Sequence, residues 1–246
     1  MQQEKTKPAL VFLHYFGGAA LSWQWVTEKL VPAYHCFVPD LPGFGGQPPL
    51  TPPSIEEMAR WVENDIRKAG IGEYVLIGHS MGGKIAVQVA ANDAAGAVQH
   101  LILVAPSPPS IEPIPAAEKE RMLIHPDRAQ AETTVRNSTH QPLSDAQHHL
   151  TIATQLIADP RTWAWWIKEG TTHSIQDQIS KIRTPITVLA SKDDPAISFD
   201  TIQHNVMALL PQATLVTTTG IGHLSPMEAP DWLAAQIIHA VSGRRQ

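Results

Sequence analysis

The chain has one cysteine, Cys36, in 246 residues, so no intrachain disulfide can form. A reducing, cytoplasmic setting is the simplest expectation from that scarcity. It also has no run of 18 apolar residues, which argues against a membrane-spanning helix. There is no basic excess: 18 Lys and Arg stand against 23 Asp and Glu, for a formal net charge of -5. An electrostatic footprint for nucleic acid is therefore absent. The stretch from Met1 to Pro8 carries charge but no apolar h-region, so it does not read as a secretory signal. Internal repeats and low-complexity linkers are missing as well. His125, His140, His148 and His149 have no cysteine or carboxylate at zinc-ligand spacing, and are read as surface histidines. No metal and no cofactor are expected.

What is present is ordinary in amount and informative in order. The hydrophobic fraction of 43%, with 15 glycines besides, suits a globular protein, and the length suits one domain carrying an insertion. The most informative stretch is Tyr74-Val75-Leu76-Ile77-Gly78-His79-Ser80-Met81-Gly82-Gly83. An apolar run of strand length meets a helical stretch from Lys84 to Ala91, and G-x-S-x-G lies at the junction. A sharp strand-to-helix turn exposes such a serine at the carboxyl edge of a sheet, beneath helix amides. Chance alone yields about 0.1 matches to this pattern in such a chain, so the flanking strand and helix supply much of its weight.

Other segments fall into the same alternation. Ala9 to His14 is a continuous apolar run ending at Tyr15-Phe16-Gly17-Gly18, and a short helix is expected from about Ser22 to Leu30. His35 to Pro39 reads as a strand that breaks into Asp40-Leu41-Pro42-Gly43-Phe44-Gly45-Gly46. Ser54 and Glu57 form a capping-box pattern, and Ile55, Met58, Ala59, Val62 and Ile66 mark one helical face ending near Gly70. Leu101 to Val104 and Pro185 to Ala190 are further buried-strand patterns. Phe199, Ile202, Val206 and Leu209 mark a helix, Ala213 to Val216 a last strand, and Leu233, Ile237, Ala240 and Val241 the closing helix. Strands alternating with helices predict an α/β protein with a mostly parallel sheet flanked on both faces.

The pattern is interrupted once. From Pro106 a proline-rich run leads into helical patterns without strong strand signals, holding five of the 12 histidines and the Trp163, Trp165, Trp166 cluster. This predicts a core of residues 1–106 and 182–246 with a helical lid over 107–181. The tryptophans read as lid packing or as an apolar roof over a cleft. Cys36, within a strand, is expected to be a small buried hydrophobe.

A serine hydroxyl needs a base to act as a nucleophile, and the base needs a carboxylate to hold its tautomer. Loops after two later strands supply candidates: Asp193 or Asp194 in one, His223 in the other. Strand carboxyl ends are where open α/β sheets bind ligands. Asp40 reads instead as a turn-stabilising residue, and His14 and His79 as hydrogen-bonding residues behind the site.

Five stretches now carry a resemblance: His14-Tyr15-Phe16-Gly17-Gly18, Asp40-Leu41-Pro42-Gly43-Phe44-Gly45, Gly78-His79-Ser80-Met81-Gly82-Gly83, Ser191-Lys192-Asp193-Asp194-Pro195, and Gly222-His223 through Pro230. In this order the chain resembles the α/β-hydrolase superfamily over nearly all of it outside the lid, and the order Ser80, Asp194, His223 is that of its triads. The family's acid usually reads G-x-x-D; Ser191 stands at the glycine position, which favours Asp194. The resemblance implies an oxyanion hole from the amides of Met81 and Phe16. The family usually has His-Gly before the latter donor, whereas this chain has His14-Tyr15, so Tyr15 is the alternative donor and a possible substrate contact beside Trp163, Trp165 and Trp166.

The expected activity is that of a cofactor-free serine hydrolase acting on small, largely apolar esters, thioesters or lactones through an acyl-enzyme on Ser80. A C–C bond hydrolase or perhydrolase-type enzyme on the same triad is the alternative within the superfamily. A ligand receptor with slow or vestigial hydrolysis is the alternative outside enzymes. The expected partner is a small ester-like molecule, not a nucleic acid or a membrane.

Overall fold

The computed structural model describes residues 7–243; the charged stretch from Met1 to Pro8 lies outside them in all but its last two residues. Six strands form one parallel sheet: β1 (Ala9–Leu13), β2 (Cys36–Phe37), β3 (Tyr74–His79), β4 (Val98–Val104), β5 (Ile186–Ser191) and β6 (Thr214–Thr218). Their spatial order is β2-β1-β3-β4-β5-β6. Connections leave β1 in one direction and β3 in the other, so a crevice opens between the loops that follow these two strands. Ligands bind at such switch points.

Side-chain alternation along each strand sorts the core into two layers. Val11, Leu13, Leu76, Leu101, Leu103 and Val188 pack with α2 (Ile55–Lys68) and α3 (Met81–Asn92). Leu10, Phe12, Val75, Ile77, Ile102 and Leu189 point the other way, onto α1 (Gln24–Leu30) and the C-terminal helix Pro230–Ser242. Because both faces are covered, the central strands read as unbroken apolar runs rather than alternating ones. Each fully buried aliphatic side chain contributes about 1.5–3 kcal/mol relative to exposure.

The helical face predicted for α2 is the buried one: Ile55, Met58, Ala59, Val62 and Ile66 are all inside. Ser54 caps it by accepting from the Glu57 amide, but the Glu57 carboxylate turns to Arg60 instead of closing the box. Strand β2 is shorter than the expected His35–Pro39, since it lies at the sheet edge and Pro39 has no N–H to extend the ladder. That position also leaves Cys36 half-buried rather than enclosed, with burial pushing its thiol up to about 11. After β5 the helix begins as α-helix at Phe199–Thr201 and widens into a π-helical stretch over Ile202–Met207. The extra residue per turn shifts the apolar phase, so Leu210 is buried where Leu209 was expected.

Between β4 and β5 the chain makes the helices α4 (Ala116–Met122), α5 (Arg128–Ser138), α6 (Asp145–Leu156) and α7 (Pro160–Trp165), with no strand among them. α7 runs on as a π-helical turn, Trp166–Gly170. This segment packs over the carboxyl edge: Trp163 rests against Phe16, and the Asp159 amide donates to the Gly43 carbonyl. Among the described residues no helix is long and apolar enough to cross a membrane.

Candidate active site

Ser80 sits between β3 and α3 with φ +54° and ψ -117°, a conformation that costs a non-glycine residue about 1–3 kcal/mol. Gly78 and Gly82, two residues to either side, have no room for side chains. A Cβ on Gly78 would strike the Gly82 carbonyl, and one on Gly82 would come within 2.6 Å of the Leu13 and His14 carbonyl oxygens. The second clash is instructive: it shows that the start of α3 is pressed against the end of β1. Met81, whose N–H lies in the unpaired first turn of α3, is thereby brought beside the loop carrying Tyr15 and Phe16. A second strained residue, Ala105 at φ +40°, turns the chain after β4 so that the Ser107 amide donates to the Ser80 carbonyl at 3.0 Å.

Three loops bring their polar side chains together. Ser80 Oγ is 2.9 Å from His223 Nε2, and His223 Nδ1 is 2.8 Å from Asp194 Oδ2. Asp194, 6% exposed, has its other oxygen Oδ1 held by the amides of Ala196 and Ile197 at 2.8 and 2.9 Å. Asp193 faces solvent and accepts instead from the Gly220 amide, which makes it a loop brace. Burial opposes protonation of His223, but the adjacent Asp194 carboxylate, helped by Glu112 and Glu228, outweighs it, and the imidazole is held above its ordinary value. An ionised Asp194 accepts only, so His223 Nδ1 carries a proton and Nε2 is left to accept from the Ser80 hydroxyl.

The two remaining histidines of the site have neutral, buried rings. His14 Nδ1 donates to the Tyr15 carbonyl at 2.8 Å while Nε2 accepts from the Leu41 amide at 3.0 Å, a pairing that only the neutral ring satisfies. Burial pushes it down to about 4. His79 Nε2 donates to the His223 carbonyl at 2.8 Å; burial and the neighbouring His223 ring hold it well below the usual histidine range. Asp40 accepts from the Ala20 amide at 2.6 Å, bracing the loop after β1 rather than meeting His223.

A cavity of about 650 Å³ opens in front of Ser80 and His223. Tyr15, Phe16 and Trp166 line it, with Ile114, Ile197 and Leu224 among its apolar walls. Trp163 and Trp165 do not reach it. Trp163 is held between Phe16 and the stacked His125 ring, with its Nε1 donating to the Met122 carbonyl at 2.7 Å, and Trp165 is buried in the core. The same stacking makes His125 a half-buried packing residue, not the surface histidine expected. No group of three or more His, Cys, Asp or Glu among the described residues could hold a metal.

Sequence reasoning passed over two acidic residues. Glu228 Oε2 accepts from the amides of Gly222, His140 and Gln141, and Oε1 from Leu224, so one carboxylate clamps both sides of His223 and the end of α5. Glu112 lines the cavity beside Ser80 and His223 and is hydrogen-bonded to Ser107. Glu228 lay inside a quoted stretch, but its partners are backbone amides, which leave no mark in a sequence.

The sequence model of the alpha/beta hydrolase family matches residues 10–236, nearly the whole sheet and everything that reaches the cavity. The chain belongs to the alpha/beta hydrolase family. Within it, the chain is 25% identical over 252 residues to a 2-succinyl-6-hydroxy-2,4-cyclohexadiene-1-carboxylate synthase of Serratia proteamaculans, covering 96% of this chain and 94% of that one. It is 36% identical over 107 residues to a pimeloyl-[acyl-carrier protein] methyl ester esterase of Vibrio vulnificus, covering 44% and 40%. The solved esterase of Exiguobacterium antarcticum superposes with a TM-score of 0.85 at 16% identity over 96% of this chain and 92% of its own, a likeness of fold.

Proposed function

We propose that this alpha/beta hydrolase is a cofactor-free serine esterase for small, largely apolar esters, related thioesters or lactones. The observation that carries the reading is the continuous relay from Ser80 Oγ through His223 to Asp194, opening onto a cavity walled in large part by apolar side chains. The esterase from Vibrio vulnificus gives the ester bond further support. In this reading Ser80 Oγ attacks the substrate carbonyl carbon as its proton passes to His223 Nε2. The imidazolium is stabilised by Asp194, and the oxyanion by the amides of Met81 and Phe16. The tetrahedral intermediate collapses with the leaving oxygen taking the proton from Nε2. Water, deprotonated by the same nitrogen, then releases the acid and restores Ser80. His14 supports the site by fixing the Tyr15 carbonyl, and with it the plane of the Tyr15–Phe16 peptide whose N–H is the Phe16 donor. Residues 107–181 act as the lid, contributing the wall opposite the sheet.

The full-length relative named a synthase favours a second reading, in which the relay works as a base and no acyl-enzyme forms. Ser80→Ala separates success from failure of the main reading: p-nitrophenyl butyrate hydrolysis should fall by about 10³ or more. Intact-protein mass spectrometry during turnover should show an acyl adduct on wild type and none on the variant. Unchanged rates in Ser80→Ala would discard Ser80 as nucleophile, and turnover with no adduct under quench would favour the base reading.

A further inference from the structure

Glu112 is a carboxyl in the cavity that the proposed chemistry does not use. The residue is pinned on both sides, its amide donating to the Thr171 carbonyl at 2.8 Å and its carbonyl accepting from Ile114 at 3.0 Å. Ser107, itself bonded through its amide to the Ser80 carbonyl, donates to Oε2. The nearby cations are engaged elsewhere: Lys84 Nζ, wholly buried, donates to the carbonyls of Ser110 and Gly170 at 3.0 and 3.1 Å, and Lys119 Nζ to Thr171 Oγ1 at 3.2 Å. Neither forms an ion pair with Glu112. A rigidly mounted carboxyl therefore lines the chamber that holds Ser80, with no ion-pair partner among the described residues. Even a half-buried carboxylate left this way is costly unless something pairs with it.

Resting on the esterase reading, we infer that Glu112 is a specificity-determining residue, receiving an ammonium or other cationic group on the substrate and disfavouring a substrate carboxylate. A cation entering the chamber would gain a charge-assisted contact at low dielectric, whereas a carboxylate would meet like charge there. Glu118, paired with Arg121, also borders the cavity, and Arg136 borders it at an exposed position. Glu112 is the carboxylate of the lining bonded to Ser107, whose amide meets the Ser80 carbonyl.

Methyl esters of matched length test this: methyl valerate, methyl 4-(trimethylammonio)butyrate and monomethyl glutarate, followed by methanol release. The wild type should prefer the ammonium ester over the glutarate by about tenfold or more in kcat/KM. Glu112→Gln, which keeps the shape, should collapse that ratio, chiefly through KM of the ammonium ester. An unchanged ratio in Glu112→Gln overturns the inference. If that variant does not fold, the wild type still decides. Burial raises the Glu112 carboxyl, against the opposing effects of Ser107, Lys84, His223 and Lys119. The ammonium-to-valerate ratio should therefore fall as pH drops through that raised value; His223 acts on both esters alike and cancels. A pH-independent ratio near one overturns the inference as well. Binding of butyltrimethylammonium to Ser80→Ala, read by tryptophan fluorescence and compared with valerate, separates the two readings. Glu112-dependent cation binding in a protein that hydrolyses none of the esters would retain the subsite and retire the esterase. Hydrolysis without cation preference would do the reverse.

Discussion

Two halves of the molecule meet at the cavity. On the sheet side, Ser80, Asp194 and His223 each leave the end of a strand, and hydrogen bonds hold each in place: the Ser107 amide onto Ser80, the Ala196 and Ile197 amides onto Asp194, and the Ser138 carbonyl and the His79 ring onto His223. On the other side, residues 107–181 supply walls from helix faces and a proline-rich run, held to the core by a few polar clamps such as Lys84 and Glu228. The difference teaches a division of labour. On the proposed esterase reading, the sheet edge would set which bond can be attacked, and the helical half what is admitted. Changes on the sheet side should therefore abolish turnover across all substrates, and changes opposite should alter the ranking of substrates.

The largest effect after Ser80 should come from the acid. Asp194→Asn removes the acceptor that fixes the His223 tautomer, and kcat/KM should fall by about 10³–10⁴. Asp193→Asn, on the exposed neighbour, should stay close to wild type; the reverse ranking would reassign the loop. The pH profile sharpens the point. Only neutral His223 accepts the serine proton, so kcat/KM rises as pH climbs through its pKa. With Asp194 raising that value, the acid limb should lie above the ordinary histidine range, and residual activity of Asp194→Asn should show it shifted to lower pH.

Much of the sheet half was legible because its physics is local. A strand covered on both faces must be apolar throughout, and Ser80 must be flanked by glycines because the turn leaves no space for Cβ atoms. The helical half gave weaker signals for a reason visible in its burial: α4 buries none of its residues, and α5 only Ala131 and Val135. Such helices carry too thin an apolar stripe to announce a face or a partner. The tryptophans illustrate the consequence. Their apolar character was plain, yet only the fold reveals that Trp166 reaches the cavity while Trp163 is clamped between Phe16 and His125. Glu112 and Lys84 were hidden differently, one in a proline run and one in a helix buried nearly all round.

Glu228 ties the halves together and should produce an intermediate effect. Its removal frees four amides, two of them flanking His223, and a displacement of about 1 Å at a reacting group costs on the order of 10² in rate. Glu228→Ala should lower kcat by about that factor with KM nearly constant, measured well below its melting temperature. A lowered melting temperature with kcat intact would restrict Glu228 to holding the fold.

The smallest effect, and the sharpest test of the comparison, is expected at Trp166. Its ring forms cavity wall and also lies near Phe16, at 6.3 Å between ring centres. If it serves as wall, each methylene of a substrate acyl chain that packs on it gains about 0.8 kcal/mol, or roughly fourfold in kcat/KM. Trp166→Ala should then flatten the rise of kcat/KM across p-nitrophenyl acetate, butyrate and hexanoate, leaving acetate least affected. If the ring instead acts by holding Phe16 and its oxyanion amide, all three esters should lose the same factor, through kcat. A uniform loss would move Trp166 to the chemical half of the site and erase the division between the two halves at that point.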